Sequence, residues 1–553
     1  FFLALIGIIV WVVRQKQNDS ADYFLGGRDA TWLAIGASIF ASNIGSEHLI
    51  GLAGAGASSG MAMAHWEIQG WMILILGWVF VPFYTRSMVY TMPEFLERRY
   101  NPQSRTILSV ISLVSYVLTK VAVTVYAGGL VFQQVFGIKE LWGIDFFWIA
   151  AIGLVVLTAL YTIFGGMKSV LYTSVLQTPI LLLGSLIILV LGFKELGGWD
   201  EMMRVCGAVT VNDYGDTMTN LIRSNDDANF PWLGALIGSA IIGFWYWCTD
   251  QFIVQRVLSG KNEMEARRGT IFGAYLKLLP VFLFLIPGMI AFALHQKYIG
   301  AGGEGFLPML ANGTANADAA FPTLVAKLLP AGVKGLVVCG ILAALMSSLA
   351  SLFNSSAMLF TIDFYKRFKP ETPEKKLVGI GQIATIVIVV LGILWIPIMR
   401  SVGDVLYTYL QDVQSVLAPG IAAAFLLGIC WKRTSAQGGM WGLISGMVIG
   451  LTRLGAKVYY SNAGEVADST FKYLFYDMNW LFFCGWMFLF CIIVVIVVSL
   501  ATEAPTAEKI QGLVFGTATK EQKAATRASW NHWDIIHTVI ILAITAAFYW
   551  YFW

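Results

Sequence analysis

Several long apolar stretches of this sequence contain polar side chains at their centres. Residues 42–51, SNIGSEHLIG, include Asn43, Ser46, Glu47 and His48, with Gly45 beside them. Charged or polar groups at bilayer depth are costly and mark functional sites by default. A helix that opens locally at Gly45, or at Gly51 and Gly54 as well, would free backbone carbonyls that can hold a cation. This stretch therefore predicts a binding site inside a membrane.

Comparable residues interrupt other apolar stretches. They lie at Glu67, at Lys120, within FWYWCTDQFIVQR (244–256), at Lys277 in AYLKLLP, at Ser347 and Ser348 in ALMSSLASLFNSS, and at Gln411, Asp412 and Gln414 in LYTYLQDVQSVLAPG. Each has a structural alternative, because membrane glycines pack helices, serines bond back to carbonyls, and lysines snorkel. Their recurrence on segments expected to face one another favours a shared site.

Composition places these residues in a polytopic membrane protein. The chain has 553 residues, of which 58% are hydrophobic and 12% charged, against about 25% charged in a soluble domain. The net charge is only +3, and no basic block indicates nucleic acid. The six cysteines show no zinc or disulfide spacing. The lack of a Ser/His/Asp or HExxH arrangement disfavours an intramembrane hydrolase, so we expect no enzyme.

Fourteen stretches are long and apolar enough to cross the hydrocarbon core. They are 1–14, 31–57, 66–90, 105–135, 146–166, 170–194, 232–258, 270–295, 332–367, 376–400, 402–430, 437–457, 477–501 and 533–552. Lys and Arg concentrate in alternate loops, which predicts that these loops are cytoplasmic and that both termini lie outside. The opening residues are expected to be the remaining part of a spanning helix.

Two of these stretches stand in comparable positions. The stretches 31–57 and 232–258 mix glycine with polar residues, lie five helices apart, and each begins a group of five. An odd number of helices makes the second group enter the membrane in the opposite sense, as in transporters with inverted repeats. The predicted organisation is an extra helix and loop (1–30), a first repeat (31–194), an external loop (195–231), a second repeat (232–430) and peripheral helices (431–553).

Four long motifs resemble the solute:sodium symporter family, and within it the sodium/glucose cotransporter branch. They are GASIFASNIGSEHLIGLAGAG, WYWCTDQFIVQR, YLKLLPVFLFLIPGMI and LMSSLASLFNSSAMLFTIDFY. The resemblance covers nearly the whole chain. It implies an all-α polytopic protein of about fourteen transmembrane helices with a five-plus-five, LeuT-like inverted-repeat core.

The resemblance also implies two sites. Na⁺ would be held where the first and eighth core helices meet, by the backbone carbonyls of Ala41, Ile44 and Ala344 and the hydroxyls of Ser347 and Ser348. Such hard neutral oxygens suit a hard cation. The sugar would be bound by Asn43, His48, Glu67, Tyr246, Trp247, Lys277 and Gln411, with Leu52 and Tyr407 as gating residues on either side.

One position departs from the family pattern. Many members carry an Asp after the Thr of the "YT" motif, where this chain has Ser174 in YTSVLQ. That Asp is associated with a second sodium position or with sodium release. The resemblance with this change favours one coupled Na⁺.

Together these features predict a symporter in which inward Na⁺ movement drives uptake of a glucose- or galactose-type hexose by alternating access. Na⁺ would be the co-transported ion, with no organic cofactor, no nucleic acid and no obligatory protein partner. The expected location is a bacterial inner membrane. The alternatives are a carrier of myo-inositol, of an amino acid, of pantothenate or of sialic acid, and a Na⁺-dependent sugar sensor or channel.

Overall fold

The chain folds almost entirely into helices. The computed structural model describes residues 2–15, 19–45, 47–310, 313–400, 406–462 and 467–553, without the side chains of 118, 119, 134, 395–400, 406–410, 412, 461 and 462. The α-helices are Phe2–Arg14, Ser20–Leu25, Trp32–Asn43, Ala53–Ser59, Ala64–Glu67, Gly70–Ile75, Val81–Ser87, Met92–Arg99, Pro102–Ser115, Ala122–Phe136, Phe146–Leu196, Trp199–Gly207, Trp232–Gly243, Gln251–Leu258, Glu263–Lys277, Ile286–Gly300, Ala320–Leu328, Ala331–Met358, Lys366–Phe368, Glu374–Arg400, Leu406–Cys430, Ala436–Asn462, Thr470–Lys472, Trp480–Ala501, Ala507–Ile510, Lys520–Ala528 and His532–Tyr551.

Short π-helical segments interrupt many of these helices. They are Glu47–Leu52, Leu76–Phe80, Tyr116–Val121, Phe244–Thr249, Val281–Leu285, Leu359–Tyr365 and Tyr473–Asp477. The 3₁₀ turns are Gly26–Arg28, Gly60–Met63 and Ala317–Ala319. Two antiparallel strands, Glu140–Leu141 and Ile144–Asp145, form a small hairpin. Single π turns inside α-helices are rare and often occur at functional sites.

Among the described residues, nine helical segments are long and apolar enough to cross a membrane. They are Glu47–Ser87, Phe146–Leu196, Trp232–Thr249, Glu263–Gly300, Ala331–Phe368, Glu374–Leu394, Val413–Cys430, Trp480–Ala501 and His532–Tyr551. Shorter apolar helices occupy Leu3–Arg14, Trp32–Asn43 and Ala122–Gln133. The 51-residue segment Phe146–Leu196 covers two predicted stretches and is interrupted at Gly166 (φ 52°). The count of fourteen stays a prediction.

The helix Ala331–Met358, which we call the serine helix, lies at the centre of the protein. From Ala343 to Met358 all of its residues are buried. Tyr161 donates a hydrogen bond to the carbonyl of Met346 at 2.9 Å, which joins the serine helix to Phe146–Leu196. The hydroxyls of Ser42 and Ser351 lie 2.6 Å apart and join it to Trp32–Asn43. The residues of the predicted cation site are therefore carried by elements that pack directly on each other.

Several glycines lie within helices and allow neighbouring helices to pack closely. A Cβ on Gly56 would collide with the carbonyl of Leu285, and one on Gly288 would collide with Ala53. Small residues let membrane helices approach in this way. Gly54 is also helical and packs against Asp318. Of the three glycines expected to open the helix, Gly54 therefore serves packing instead.

Candidate functional site

The first interrupted helix changes conformation at the predicted place. The helix Trp32–Asn43 ends at Ile44, whose backbone is extended (φ −81°, ψ 104°). A Cβ on the next residue, Gly45, would lie 2.8 Å from the hydroxyl oxygen of Ser348. Glycine therefore allows the opened backbone to approach the serine helix closely.

The second interrupted helix has a similar break. The π turn Phe244–Thr249 stops at Asp250, which is extended (φ −76°, ψ 128°). The carboxylate of Asp250 accepts a hydrogen bond from the Phe252 N–H at 3.2 Å and so caps the helix Gln251–Leu258. An Asp at this N-cap position satisfies one of the free N–H groups at the start of the helix.

Two of the oxygens expected to bind a cation, those of Ser348 and Ile44, meet at the first break. The hydroxyl oxygen of Ser348 lies 2.9 Å from the carbonyl of Ser42 and 3.1 Å from that of Ile44. The hydroxyl of Ser347 lies 3.3 Å from that of Ser174. A hydroxyl has one proton to donate and lone pairs that remain available to a cation. The structure thus brings Ser348 and Ile44 together, as a shared cation site requires.

The two remaining members of the predicted sodium site lie on the same two elements. Ala41 and Ala344 are each 1% exposed. In the part of the chain that the structure describes, no group of three or more His, Cys, Asp or Glu side chains is placed to hold a metal ion. A cation at this point would be held by neutral carbonyl and hydroxyl oxygens, which favours a hard monovalent ion over a tightly held transition metal.

All seven side chains predicted to bind the sugar line one cavity. The lining residues are Asn43, Glu47, His48, Trp66, Glu67, Gln69, Ile242, Gly243, Tyr246, Trp247, Lys277, Gln411 and Gln414. The interior volume is about 30 Å³, roughly the share of one water molecule in the liquid. The lining must therefore separate before a ring-shaped molecule can enter.

An ion pair lies in the wall of this cavity. The Lys277 ammonium donates a hydrogen bond to the Glu67 carboxylate at 2.6 Å, and both side chains are at most 5% exposed. Nε2 of His48 lies 3.2 Å from the same carboxylate and 3.3 Å from the Asn43 amide nitrogen. Breaking a buried pair is costly because it leaves one charge uncompensated. An incoming ligand must therefore offer both acceptors and donors in exchange.

Aromatic and amide side chains form another part of the wall. The indole N–H of Trp247 donates to the Gln69 amide oxygen at 3.3 Å, while the Gln69 amide nitrogen donates to the Ser239 carbonyl at 2.8 Å. The Lys277 ammonium lies 5.3 Å from the centre of the Trp247 ring. Trp247 is therefore held by its neighbours in one orientation beside the ion pair.

A second buried ion pair lies next to the cavity. Lys120 donates to Asp250 at 2.7 Å, and the Tyr116 hydroxyl also bonds that carboxylate. The ammonium of Lys120 lies 4.6 Å from the centre of the Tyr246 ring. Tyr246, a lining residue, is therefore held by a cation–π contact with Lys120.

Sequence reasoning left several lining residues out of the proposed site. Glu47, Trp66, Gln69 and Gln414 line the cavity although none was assigned to substrate. Glu47 and Gln414 had been noticed as polar residues in apolar stretches, which is the signal that could have placed them. Trp66 and Gln69 lie close to Glu67 in the sequence. A tryptophan and a glutamine at these positions could equally serve helix packing, so the sequence carries no signal that assigns them to the site.

Of the two predicted gating residues, the structure describes the side chain of Leu52 but not that of Tyr407. Leu52 is fully buried at the end of the π turn Glu47–Leu52, outside the set of residues that line the cavity. Tyr407 begins the helix Leu406–Cys430, and its side chain lies outside the described residues. The gating role of both residues stays a prediction.

Comparison with known proteins gives the family. The family model "Sodium:solute symporter family" matches residues 23–446. Human sodium/myo-inositol cotransporter 2 is 36% identical over 531 residues, covering 94% of this chain and 78% of the relative. The dog sodium/myo-inositol cotransporter is 37% identical over 539 residues, covering 93% of this chain and 74% of the relative.

A solved structure supports the same fold. The substrate-bound, outward-open state of a Na⁺-coupled sialic acid symporter aligns with a TM-score of 0.71 and 22% identity, covering 91% of this chain and 98% of that chain. The expected all-α, LeuT-like transporter fold is confirmed. The chain therefore belongs to the sodium:solute symporter family, as a multi-pass membrane transporter with Na⁺ as the co-transported ion, and it is not an enzyme.

Proposed function

We propose that this symporter uses one inward-moving Na⁺ to drive uptake of an uncharged cyclic polyol, a cyclitol of the myo-inositol type. The main support is the Lys277–Glu67 pair, joined at 2.6 Å in the wall of a cavity whose other polar lining groups are amides, aromatics, one imidazole and the carboxyl group of Glu47. The relatives named above are sodium/myo-inositol cotransporters. We therefore place a cyclitol ahead of the glucose- or galactose-type hexose expected from the sequence.

The groups in the cavity suit ring hydroxyls, which both donate and accept. Glu67 can accept hydrogen bonds, Lys277 can donate them, and Asn43 and Gln411 can do both. The amide oxygen of Gln411 is buried and has no hydrogen-bond partner among the described residues. Because a buried polar atom without a partner is costly, a substrate hydroxyl that donates to Gln411 would be favoured.

Charge balance disfavours an anionic substrate. Within the described structure, Lys277 lines the cavity and Lys120 lies beside it, and each is bonded to a carboxylate, Glu67 and Asp250 respectively, whereas Arg256 lies outside the lining residues. A carboxylate-bearing substrate would need a cation that is not already compensated. The sialic acid symporter accordingly shares the fold with this chain and gives no support for a shared substrate.

Two groups of contacts could serve as the closures that alternating access requires. On one side Trp66 stacks on Trp480, with ring centres 5.5 Å apart. On the other, Arg105 forms ion pairs with Glu97 and Asp363, each at 2.6 Å. We assign the Arg105 side to the cytoplasm because the basic loops lie there under the positive-inside rule. Transport would open each side in turn.

One coupled Na⁺ follows from the groups around Ser174. Its hydroxyl donates to the Val170 carbonyl at 2.6 Å and lies 3.3 Å from the Ser347 hydroxyl. These contacts supply neutral oxygens where many family members place a carboxylate. Without that negative charge a second cation has less electrostatic stabilisation, so a single site is proposed.

The proposed function can be tested by uptake into proteoliposomes. Labelled myo-inositol, glucose, galactose and proline would be offered with an inward Na⁺ gradient, or with K⁺ replacing Na⁺. We expect myo-inositol to accumulate only with Na⁺, with a charge-to-substrate ratio near one. Preference for a hexose or proline would overturn the cyclitol assignment. Uptake that equilibrates without accumulating would indicate a channel, and binding without uptake would indicate a sensor. A charge-to-substrate ratio near two would reject the proposal of a single coupled Na⁺.

Replacing Gln411 by alanine is expected to raise the KM for the polyol by about tenfold, the effect of one lost hydrogen bond worth roughly 1.4 kcal/mol. Na⁺ dependence should not change, since Gln411 has no contact with Ser348 or Ile44 in the described structure. The measurement is initial uptake against substrate concentration at saturating Na⁺. A parallel rise in the Na⁺ requirement would point to general disruption of the site instead.

A further inference from the structure

Glu47 lines the substrate cavity although neither the sodium nor the sugar assignment uses it. It is the first residue of the π turn Glu47–Leu52, directly after the break in the first interrupted helix. Its side chain is half-buried, whereas those of Glu67 and His48 are almost completely buried. The cavity therefore presents two carboxylates from two separate helical segments.

The carboxylate of Glu47 has no hydrogen-bond donor among the described side chains. Lys277 donates to Glu67 at 2.6 Å, and Lys120 donates to Asp250 at 2.7 Å. Both lysines are therefore already paired elsewhere. Buried carboxylates are normally hydrogen-bonded, so this acceptor in a binding cavity is available to a ligand that brings its own donor.

Cationic side chains lie near the Glu47 carboxyl group. Lys120 and Lys277 lie close to it as well as beside their own partners, Asp250 and Glu67. These two lysines and His48 favour the ionised form of Glu47, whereas its burial opposes ionisation. A neutral ligand adds no further charge to this group of side chains, which agrees with the proposed function.

An ionised carboxylate only accepts hydrogen bonds. A cyclitol carries a hydroxyl on each of its ring carbons and can donate at every position. A pyranose carries a ring oxygen at one position, and that oxygen can only accept. A ring oxygen facing Glu47 would set two acceptors against each other and leave both unpaired, which is costly in a buried site.

We propose that Glu47 is a specificity-determining residue that accepts a hydrogen bond from the cyclitol hydroxyl located where a pyranose has its ring oxygen. This inference rests on the proposed function and deepens it. A site built to bond a hydroxyl strongly rejects an analogue that lacks it, because the partner group is then left unpaired. Glu47 would in this way favour a cyclitol over a hexose of the same size.

The test compares kcat/KM for myo-inositol and for glucose in proteoliposomes that contain wild-type protein or Glu47→Gln. The glutamine amide can donate to a ring oxygen, so the ratio of myo-inositol to glucose is expected to fall by about tenfold or more. Half-saturation by Na⁺ should stay unchanged. An equal change for both substrates, no change, or a rise in the Na⁺ requirement alone would overturn the proposal.

Glu47→Asp provides the matched variant. It keeps the carboxylate but withdraws the acceptor by one carbon–carbon bond. The substrate ratio should fall in the same direction and by less than with glutamine, and an unchanged ratio would contradict the proposal even if Glu47→Gln does not reach the membrane. A wild-type preference for glucose would overturn the proposed function, whereas the role of Glu47 is judged from the change in the ratio.

Discussion

Replacing Ser348 by alanine is expected to raise the Na⁺ concentration for half-maximal uptake by about 10- to 100-fold. A polar contact to a charged group contributes about 1.5–3 kcal/mol, which corresponds to that range. The hydroxyl of Ser348 lies within 3.1 Å of the Ile44 carbonyl at the helix break, so its loss removes one oxygen from the proposed cation site. The measurement is a Na⁺ titration of initial uptake at fixed polyol concentration.

Ser355→Ala is the matched control for this prediction. Ser355 lies two turns further along the same helix, is also buried, and donates to the Gln255 side chain at 2.7 Å. Its replacement removes the same hydroxyl without touching the break, and the Na⁺ dependence should stay close to that of the wild type. An unchanged Na⁺ dependence in Ser348→Ala would reject the sodium assignment, and equal shifts in both variants would indicate a general effect on the helix.

The helix break was predictable because its chemistry is local. Asn43, Gly45 and His48 together are incompatible with an uninterrupted apolar helix, and this conflict is visible in ten residues of sequence. The partner across the break was predictable only through the family resemblance. Nothing in the spacing of Ser347 and Ser348 shows that they face residues 300 positions earlier in the chain, because that contact depends on how the helices assemble.

Only part of the cavity lining was predictable, because contacts between distant segments depend on how the helices assemble. Family motifs led to Glu67, Lys277 and Gln411, and the structure brings them together. Glu47 was left out because its role depends on where its neighbours point. Both lysines that could neutralise it bond other carboxylates, and such pairing between distant segments cannot be derived from composition or periodicity.

Helix boundaries were predicted less well than the existence of helices. Apolar length alone predicted two separate stretches, 146–166 and 170–194. In the structure both belong to the segment Phe146–Leu196, which is interrupted by the positive φ of Gly166. The π turns at Glu47–Leu52 and Phe244–Thr249 left no signal in hydropathy. They arise where side-chain packing and polar contacts outweigh regular helical hydrogen bonding, which is a tertiary effect.

Replacing Glu67 by alanine is expected to lower kcat/KM for the polyol by more than about 100-fold. Truncating one member of a buried, hydrogen-bonded charge pair typically costs about 3–5 kcal/mol. In Glu67→Ala the substrate loses an acceptor, and Lys277 becomes a buried cation without its 2.6 Å partner. The Na⁺ titration should change little, because the hydrogen bonds described for Ser348 go to the carbonyls of Ser42 and Ile44. Uptake against both substrate and Na⁺ concentration measures this difference.

The uncompensated lysine also threatens folding, so the decisive comparison is the double variant Glu67→Gln with Lys277→Gln. Two neutral amides of similar length can bond each other and remove the buried charge, which should restore thermal stability and the amount of protein in the membrane. We expect polyol uptake to stay impaired, because ring hydroxyls then lose both charge-assisted partners. If the double variant instead transports like the wild type, the pair serves only to stabilise the fold. Recognition would then rest on the amides and on Glu47.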